Sequence, residues 1–187
     1  GNVNKKGESN EVGVSGSTIF YYTGVNKPHI LELNKHLHNL KYKHQLESIK
    51  SGGVDPTPIR VRLNSGGGSI VAGIAGMDNI RTLDVPVHTT VDGFCASAAT
   101  FLSVVAEHRQ ITRNSFMLIH QLSTSFWGKY EEFEDEKKNM DLMMKMIRQI
   151  YREHTKVPKK ELESILKRDL MLDAKTCLKW GLVDEII

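Results

Sequence analysis

Apolar positions change their spacing several times along this chain, and each change of period predicts a change of element. Ile19-Phe20-Tyr21-Tyr22 is a short apolar run closed by Gly24, which reads as a strand, and Leu31, Leu33, Leu37 and Leu40 follow at roughly helical intervals. Residues 43–58 predict a loop, because Gly52-Gly53 and the prolines at 56 and 58 interrupt any regular element. Ile59, Val61 and Leu63 then alternate with Arg60 and Arg62, the period of a strand with one polar face. After Gly66-Gly67-Gly68 helical spacing returns at Ile70, Ile74 and Met77, and residues 85–91 read as the next strand, with Pro86 near its start. Residues 98–106 are small and apolar enough for a buried helix, and residues 116–119 supply another strand.

From about residue 130 to 155 the pattern becomes one long helix. Met140, Met143, Ile147 and Ile150 step by three, four and three residues along it. Glu131, Glu132, Glu134 and Asp135 precede Lys145, Arg148 and Arg152, the charge order that the helix dipole favours. The methionine stripe reads either as core or as a subunit interface, since so long a helix readily projects beyond a small domain. Pro158 suits the first turn of a helix carrying Leu162, Ile165 and Leu166; Asp173 and Gly181 bracket a last short helix, and residues 183–187 end as a strand. The repeated order strand, glycine turn, helix, strand predicts the α/β class. The first 17 residues, rich in Gly, Asn, Ser and Lys, bury too little apolar surface to order themselves and read as a mobile arm, which leaves residues 18–187 as a single domain.

Composition narrows the function classes. A formal charge of +3 with interspersed signs lacks the basic stripe of a nucleic-acid binder. Two cysteines without paired metal-ligand spacing, and the lack of a secretory leader pattern, point to a reducing, cytoplasmic type of compartment. No apolar run approaches the roughly 20 residues a membrane span requires. His36, His38, His44, His88 and His108 are scattered and form no metal set, so neither metal nor cofactor is expected.

Ser97, in the run Gly93-Phe94-Cys95-Ala96-Ser97-Ala98-Ala99, is the hydroxyl whose neighbours are small enough to admit other backbone and a substrate. A serine is a poor nucleophile until a base takes its proton, and a tetrahedral oxyanion is costly until fixed donors receive its charge. His120, at the end of an apolar strand, is the candidate base. The Ala98 N–H, in the first turn of a helix, and the Gly68 N–H, unshielded by any side chain, are the candidate donors. Two carboxylates are candidates to orient the histidine: Asp92, near Ser97 in sequence, and Asp169, before the apolar pair Leu170-Met171. The order Ser97, His120, Asp169 and the missing Gly-x-Ser-x-Gly elbow disfavour the better-known serine hydrolase folds.

These residues resemble the proteolytic subunit of the Clp protease family, a self-compartmentalising serine peptidase. The carriers are Leu63-Asn64-Ser65-Gly66-Gly67-Gly68 with Ala72-Gly73, Gly93-Phe94-Cys95-Ala96-Ser97-Ala98, Met117-Leu118-Ile119-His120-Gln121, and Arg168-Asp169 followed by Ala174 and Gly181-Leu182-Val183-Asp184. The resemblance covers residues 18–187. It implies the ClpP/crotonase-like fold, with stacked β-sheet units, flanking helices and a protruding handle helix. It implies Ser97 as nucleophile, His120 as base, Asp169 as the orienting acid and the amides of Gly68 and Ala98 as the oxyanion hole. Unfolded polypeptides would be the substrate, two stacked heptameric rings the assembly, and an AAA+ ATPase unfoldase a partner. Rival readings are a ring subunit that keeps the fold without activity and a crotonase-type acyl-CoA hydratase or isomerase. The chain departs from the family pattern at Gly66, where proline is usual and whose glycine should loosen the loop, at Cys95, which replaces alanine, and at Lys167, where an acid is common beside Arg168.

Overall fold

In the computed structural model, which describes residues 11–123 and 125–187, the first element is a hairpin. β1 (Val12–Ser15) turns at Gly16 into β2 (Thr18–Tyr21), the two paired antiparallel with Val12 opposite Tyr21. The expectation of an arm through residue 17 is therefore corrected for residues 12–17. Val12 is buried and the glycine turn closes a ladder, so residues 12–17 belong to the domain, while residues 1–10 lie outside the described residues.

α1 (Lys27–Lys50) starts where the Asn26 side chain accepts the His29 N–H at 2.9 Å. It buries Ile30, Leu33, Leu37, Leu40 and His44 and leaves Leu31 exposed. The helix thus runs through residues 43–50 of the expected loop. Nothing before Gly52 breaks it, and the buried His44 ring is held between Ser17 Oγ, at 2.9 Å, and the Thr57 carbonyl.

β3 (Ile59–Ser65) alternates as the arginines predict, with Ile59, Val61 and Leu63 inward. α2 (Ile70–Thr82) returns the chain to β4 (Val87–Ala96), which leads into α3 (Ala99–Val104). β5 (His108–Ile111), β6 (Phe116–Leu118), α4 (Tyr130–His154), α5 (Lys159–Leu166), β7 (Leu172–Asp173), α6 (Ala174–Lys179) and β8 (Glu185–Ile186) complete the order. The sheet runs β1-β2-β3-β4-β5-β8. β4 is its fork: residues 88–91 pair with β5, whereas Phe94, Cys95 and Ala96 pair with Phe116, Met117 and Leu118 of β6, which in turn pairs with β7. Gly93 makes the fork possible. It takes a φ of 85°, and its N–H donates to Ser115 Oγ at 2.6 Å.

Helix α4 is divided. Ile147, Ile150 and Tyr151 are buried, whereas Met140 and Met143 are only half-buried and Tyr130, Phe133 and Leu142 stand exposed. The methionine stripe is core at its C-terminal continuation and not at its N-terminal end. No helix among the described residues is long and apolar enough to cross a membrane.

Arg109 of β5 closes the far end of the fold. Its Nε and Nη2 donate to the Asp184 carboxylate at 3.0 and 2.7 Å, and Nη1 donates to the His154 carbonyl at 2.6 Å. These hydrogen bonds from Arg109 hold the Asp184 carboxyl below the usual carboxylate range, against the opposing effect of burial. A depressed carboxyl contributes stability that is present above its ordinary titration range and lost as pH falls through the folded-state value. Asp184→Asn is therefore expected to lower the thermal midpoint at pH 7 and to converge with the wild type near pH 2, as differential scanning calorimetry across pH will read.

Candidate active site

Ser97 joins the end of β4 to the start of α3 and is the one non-glycine residue with positive φ among the described residues, at 56°. That conformation costs an L-residue roughly 1–2 kcal/mol, so the surroundings must enforce it. The Ser97 N–H donates to the Leu118 carbonyl at 2.9 Å, and the Ser97 carbonyl accepts from the Thr100 N–H at 2.9 Å and from Thr100 Oγ1 at 2.7 Å. The side chain stays half-exposed beneath fully buried Ala98 and Ala99.

The glycine loop approaches from β3. Val25 pairs with it as a parallel bridge at Gly68: the Val25 N–H donates to the Gly67 carbonyl and the Ser69 N–H to the Val25 carbonyl, both at 2.8 Å. Val25 therefore bonds the residues on either side of Gly68, and the N–H of Gly68 itself faces away from Val25. Among the described residues no carbonyl accepts it, and none accepts the Ala98 N–H. Gly67 lies against the serine turn so closely that a Cβ there would fall 2.6 Å from the Ala96 carbonyl oxygen, 2.7 Å from Ser97 Cβ and 3.3 Å from the Ala98 nitrogen. The loosening expected from Gly66 is not what holds here. Asn64 Nδ2 donates to the Asp92 carbonyl at 2.8 Å, the Gly67 N–H to Ser65 Oγ at 3.2 Å, and Ser69 Oγ accepts from Ala72, so the loop is pinned on both sides of Gly66.

His120 follows β6, which runs parallel to the last residues of β4, so His120 and Ser97 leave neighbouring strands at the same end. The ring is half-buried. Its Nδ1 lies 2.8 Å from the Gln121 carbonyl, and since a carbonyl only accepts, Nδ1 carries the proton and Nε2 is left as the basic nitrogen. Asp169 stands just beyond α5, whose last turn is joined to the histidine strand by the Gln121 N–H donating to the Leu166 carbonyl at 2.6 Å. Its carboxylate is exposed, not partly buried as the sequence suggested, and makes no hydrogen bond or ion pair with a described residue. The rival Asp92 is engaged elsewhere. Arg62 Nε and Nη2 clamp it at 2.8 and 2.7 Å and the Tyr22 hydroxyl donates to it, and the Arg62 hydrogen bonds hold its carboxyl below the ordinary range.

Ser97, His120, Gly68 and Ala98 thus lie on one rim, while no hydrogen bond among the described residues joins the side chains of Ser97, His120 and Asp169. Cys95 is fully buried one strand position before Ala96, and burial pushes its thiol up, so it stays protonated and behaves as an apolar filler. A groove of about 450 Å³ begins at Gly68 and continues past Ile70, Leu122, Met140 and Met143, with Glu136 on its polar side. No group of three or more His, Cys, Asp or Glu side chains among the described residues is placed to hold a metal. Val25 and Gly67 escaped sequence reasoning: nothing in the pattern around Val25 marks a bridge across the fold, and the glycine run does not say which member touches the serine turn.

A forked sheet with a helix projecting from it is the ClpP fold. Superposition on a mutant ClpP1 from Listeria monocytogenes gives a TM-score of 0.76 at 26% identity, covering 91% of each chain. The family profile described as Clp protease matches residues 19–187, and the chain belongs to that family. It is 30% identical over 131 residues to the ATP-dependent Clp protease proteolytic subunit of Deinococcus radiodurans, a match spanning 69% of this chain and 64% of that relative.

The contact at Gly67 yields a test of the site's construction. Gly67→Ala combines a φ of 91° with a Cβ driven against backbone, and is expected to cost roughly 2–4 kcal/mol of stability, readable as a shifted urea midpoint.

Proposed function

We propose that this chain is a serine endopeptidase that cleaves peptide bonds of unfolded polypeptides through an acyl-enzyme on Ser97. The observation that carries the reading is that the amides of Gly68, on the glycine loop, and Ala98, directly after the strained Ser97, meet no carbonyl acceptor among the described residues. In the first step Ser97 Oγ attacks the scissile carbonyl carbon while His120 Nε2 takes the hydroxyl proton, and the carbonyl oxygen, now an oxyanion, is received by the two N–H groups. Collapse of that adduct breaks the C–N bond, with the amine leaving on the proton held by His120. Water then attacks the ester, gives a proton to Nε2, and frees the carboxylic acid as the proton returns to Ser97.

The apolar groove beyond Gly68 fits an apolar side chain next to the scissile bond. Asp169 is the proposed carboxylate for the imidazolium, reached when His120 Nδ1 exchanges the Gln121 carbonyl for it. Assembly into two stacked heptameric rings is part of the proposal, supported by the exposed Trp127, Tyr130, Phe133 and Leu142 on and before the first half of α4. The Deinococcus relative is described as ATP-dependent, and an AAA+ unfoldase is accordingly the proposed partner. Cytoplasmic residence remains part of the same proposal.

One observation favours a second reading, a ring subunit without peptidase activity: the His120 Nδ1 proton is spent on its own neighbour's carbonyl. Labelling with a serine-directed fluorophosphonate separates the two, since an active subunit labels at Ser97 and an inactive one does not.

For the peptidase, Ser97→Ala and His120→Ala are each expected to lower kcat roughly 10⁴-fold or more on a fluorogenic peptide, and undiminished turnover in either rules the assignment out. Asp169→Asn tests the third group: a loss of about 10²-fold or more marks a carboxylate partner, whereas a loss of only a few-fold leaves the Gln121 carbonyl as the group that fixes the ring. Native mass measurement, followed by peptidase assay with and without an unfoldase, reads assembly and ATP dependence.

A further inference from the structure

Behind the serine turn lies a buried hydrogen-bonded pair that the mechanism above does not use. Thr100 Oγ1 is 2.7 Å from the Ser97 carbonyl and 2.6 Å from the Tyr151 hydroxyl of α4. Both residues are buried, Thr100 at 0% and Tyr151 at 1% exposure, and the tyrosine ring packs against Phe101 with centroids 5.9 Å apart. The proton count fixes the direction of this chain. A carbonyl only accepts, so the single Thr100 hydroxyl proton goes to Ser97, and the proton between Thr100 and Tyr151 must come from the phenol. Burial pushes the Tyr151 phenol well above its usual range, so it remains a donor at any working pH.

What the Ser97 carbonyl does, the Ala98 N–H must follow. The two belong to one planar peptide unit, in which C=O and N–H point in opposite directions. Anchoring the oxygen on the interior side therefore sets the direction of the amide on the site side, where no carbonyl among the described residues accepts it. Donation to the oxygen also polarises the peptide, which makes the N–H a stronger donor. We propose that Tyr151 and Thr100 are positioning residues for the oxyanion hole, a relay from Tyr151 O–H through Thr100 O–H to the Ser97 carbonyl that aims and strengthens the Ala98 N–H. Because Tyr151 sits on the helix that also carries Met140 and Met143 along the substrate groove, the seating of α4 sets both the groove wall and one oxyanion donor.

This inference rests on the peptidase reading, and the experiment separates the two. Tyr151→Phe deletes one hydroxyl and keeps the ring. It is expected to lower kcat for peptide hydrolysis roughly 3- to 30-fold with KM within about twofold, and to weaken by a similar factor a peptide aldehyde that forms a tetrahedral adduct on Ser97. Thr100→Val should do the same, the double variant should lose no more than the worse single one, and Thr100→Ser, which keeps the hydroxyl, should restore wild-type kcat. Circular dichroism identifies any variant that fails to fold; if one of the single variants does, the other is compared with Thr100→Ser. A folded Tyr151→Phe with wild-type kcat and aldehyde affinity, losses that multiply in the double variant, or a loss confined to KM overturns the relay while leaving the peptidase intact. A wild type without Ser97-dependent turnover overturns both.

Discussion

Two stretches of backbone meet at Gly67 and Ala96-Ser97-Ala98 more closely than any side chain permits, and the rest of the site is arranged around that contact. On one side Val25 holds the glycine loop through a parallel bridge; on the other Leu118 and Thr100 hold the serine turn. A serine at φ 56° needs a rigid frame, and the frame here is the forked strand β4, whose last three residues pair with a different neighbour from its first half. The fork brings the histidine strand beside the serine strand and also creates the step on which the glycine loop rests. In the proposed mechanism this gives preorganisation: the donors are fixed by backbone pairing made during folding, so little reorganisation remains for the reaction.

The electrostatics around the rim sort its ionisable groups by partner. Asp92, which sequence proximity made a candidate beside Ser97, is bound by the Arg62 fork and stabilises the open face of the sheet. Asp169 is exposed and makes no hydrogen bond or ion pair with a described residue, which is what the proposed recruitment by a rotating imidazole requires. In the proposed peptidase the tautomer fixed by the Gln121 carbonyl is the one that a general base requires. The basic nitrogen is therefore prepared before any carboxylate arrives, and a carboxylate would chiefly stabilise the imidazolium.

Helix α4 has two halves with different work. Its C-terminal half contributes Ile147, Ile150 and Tyr151 to the core, and Arg148 reaches Glu163 of α5 at 2.9 Å, so this half is tied to the body of the domain. Its N-terminal half leaves Tyr130, Phe133 and Leu142 exposed to solvent. Burying such surface against another subunit is worth about 25 cal/mol per Å² of apolar area, a drive toward association that an isolated domain does not satisfy.

Much of this was legible in the sequence because it is local. The alternation around Arg60 and Arg62, the helical steps from Met140 to Ile150, Pro158 ahead of α5 and Asp173 capping α6 are signals of neighbouring residues, and the elements followed them. The α/β class and the family resemblance came from such signals in their order, and Ser97 and His120 stood out as residues at element ends. Elements without apolar contrast stayed hidden: β5, His108-Arg109-Gln110-Ile111, is polar at its first three positions, and β7 is two residues long, so only pairing defines them. The polar end of α1 and the first strand and turn of the hairpin, residues 12–17, were missed because a buried histidine and a glycine turn, not a hydrophobic run, complete them. Tertiary structure alone decided that Asp92 belongs to Arg62, that Val25 braces Gly68, and that Tyr151 reaches Thr100 from 51 positions away. The reason is physical: periodicity reports which face of an element is buried, whereas a hydrogen bond between distant elements depends on distances and angles that exist only once the chain has packed.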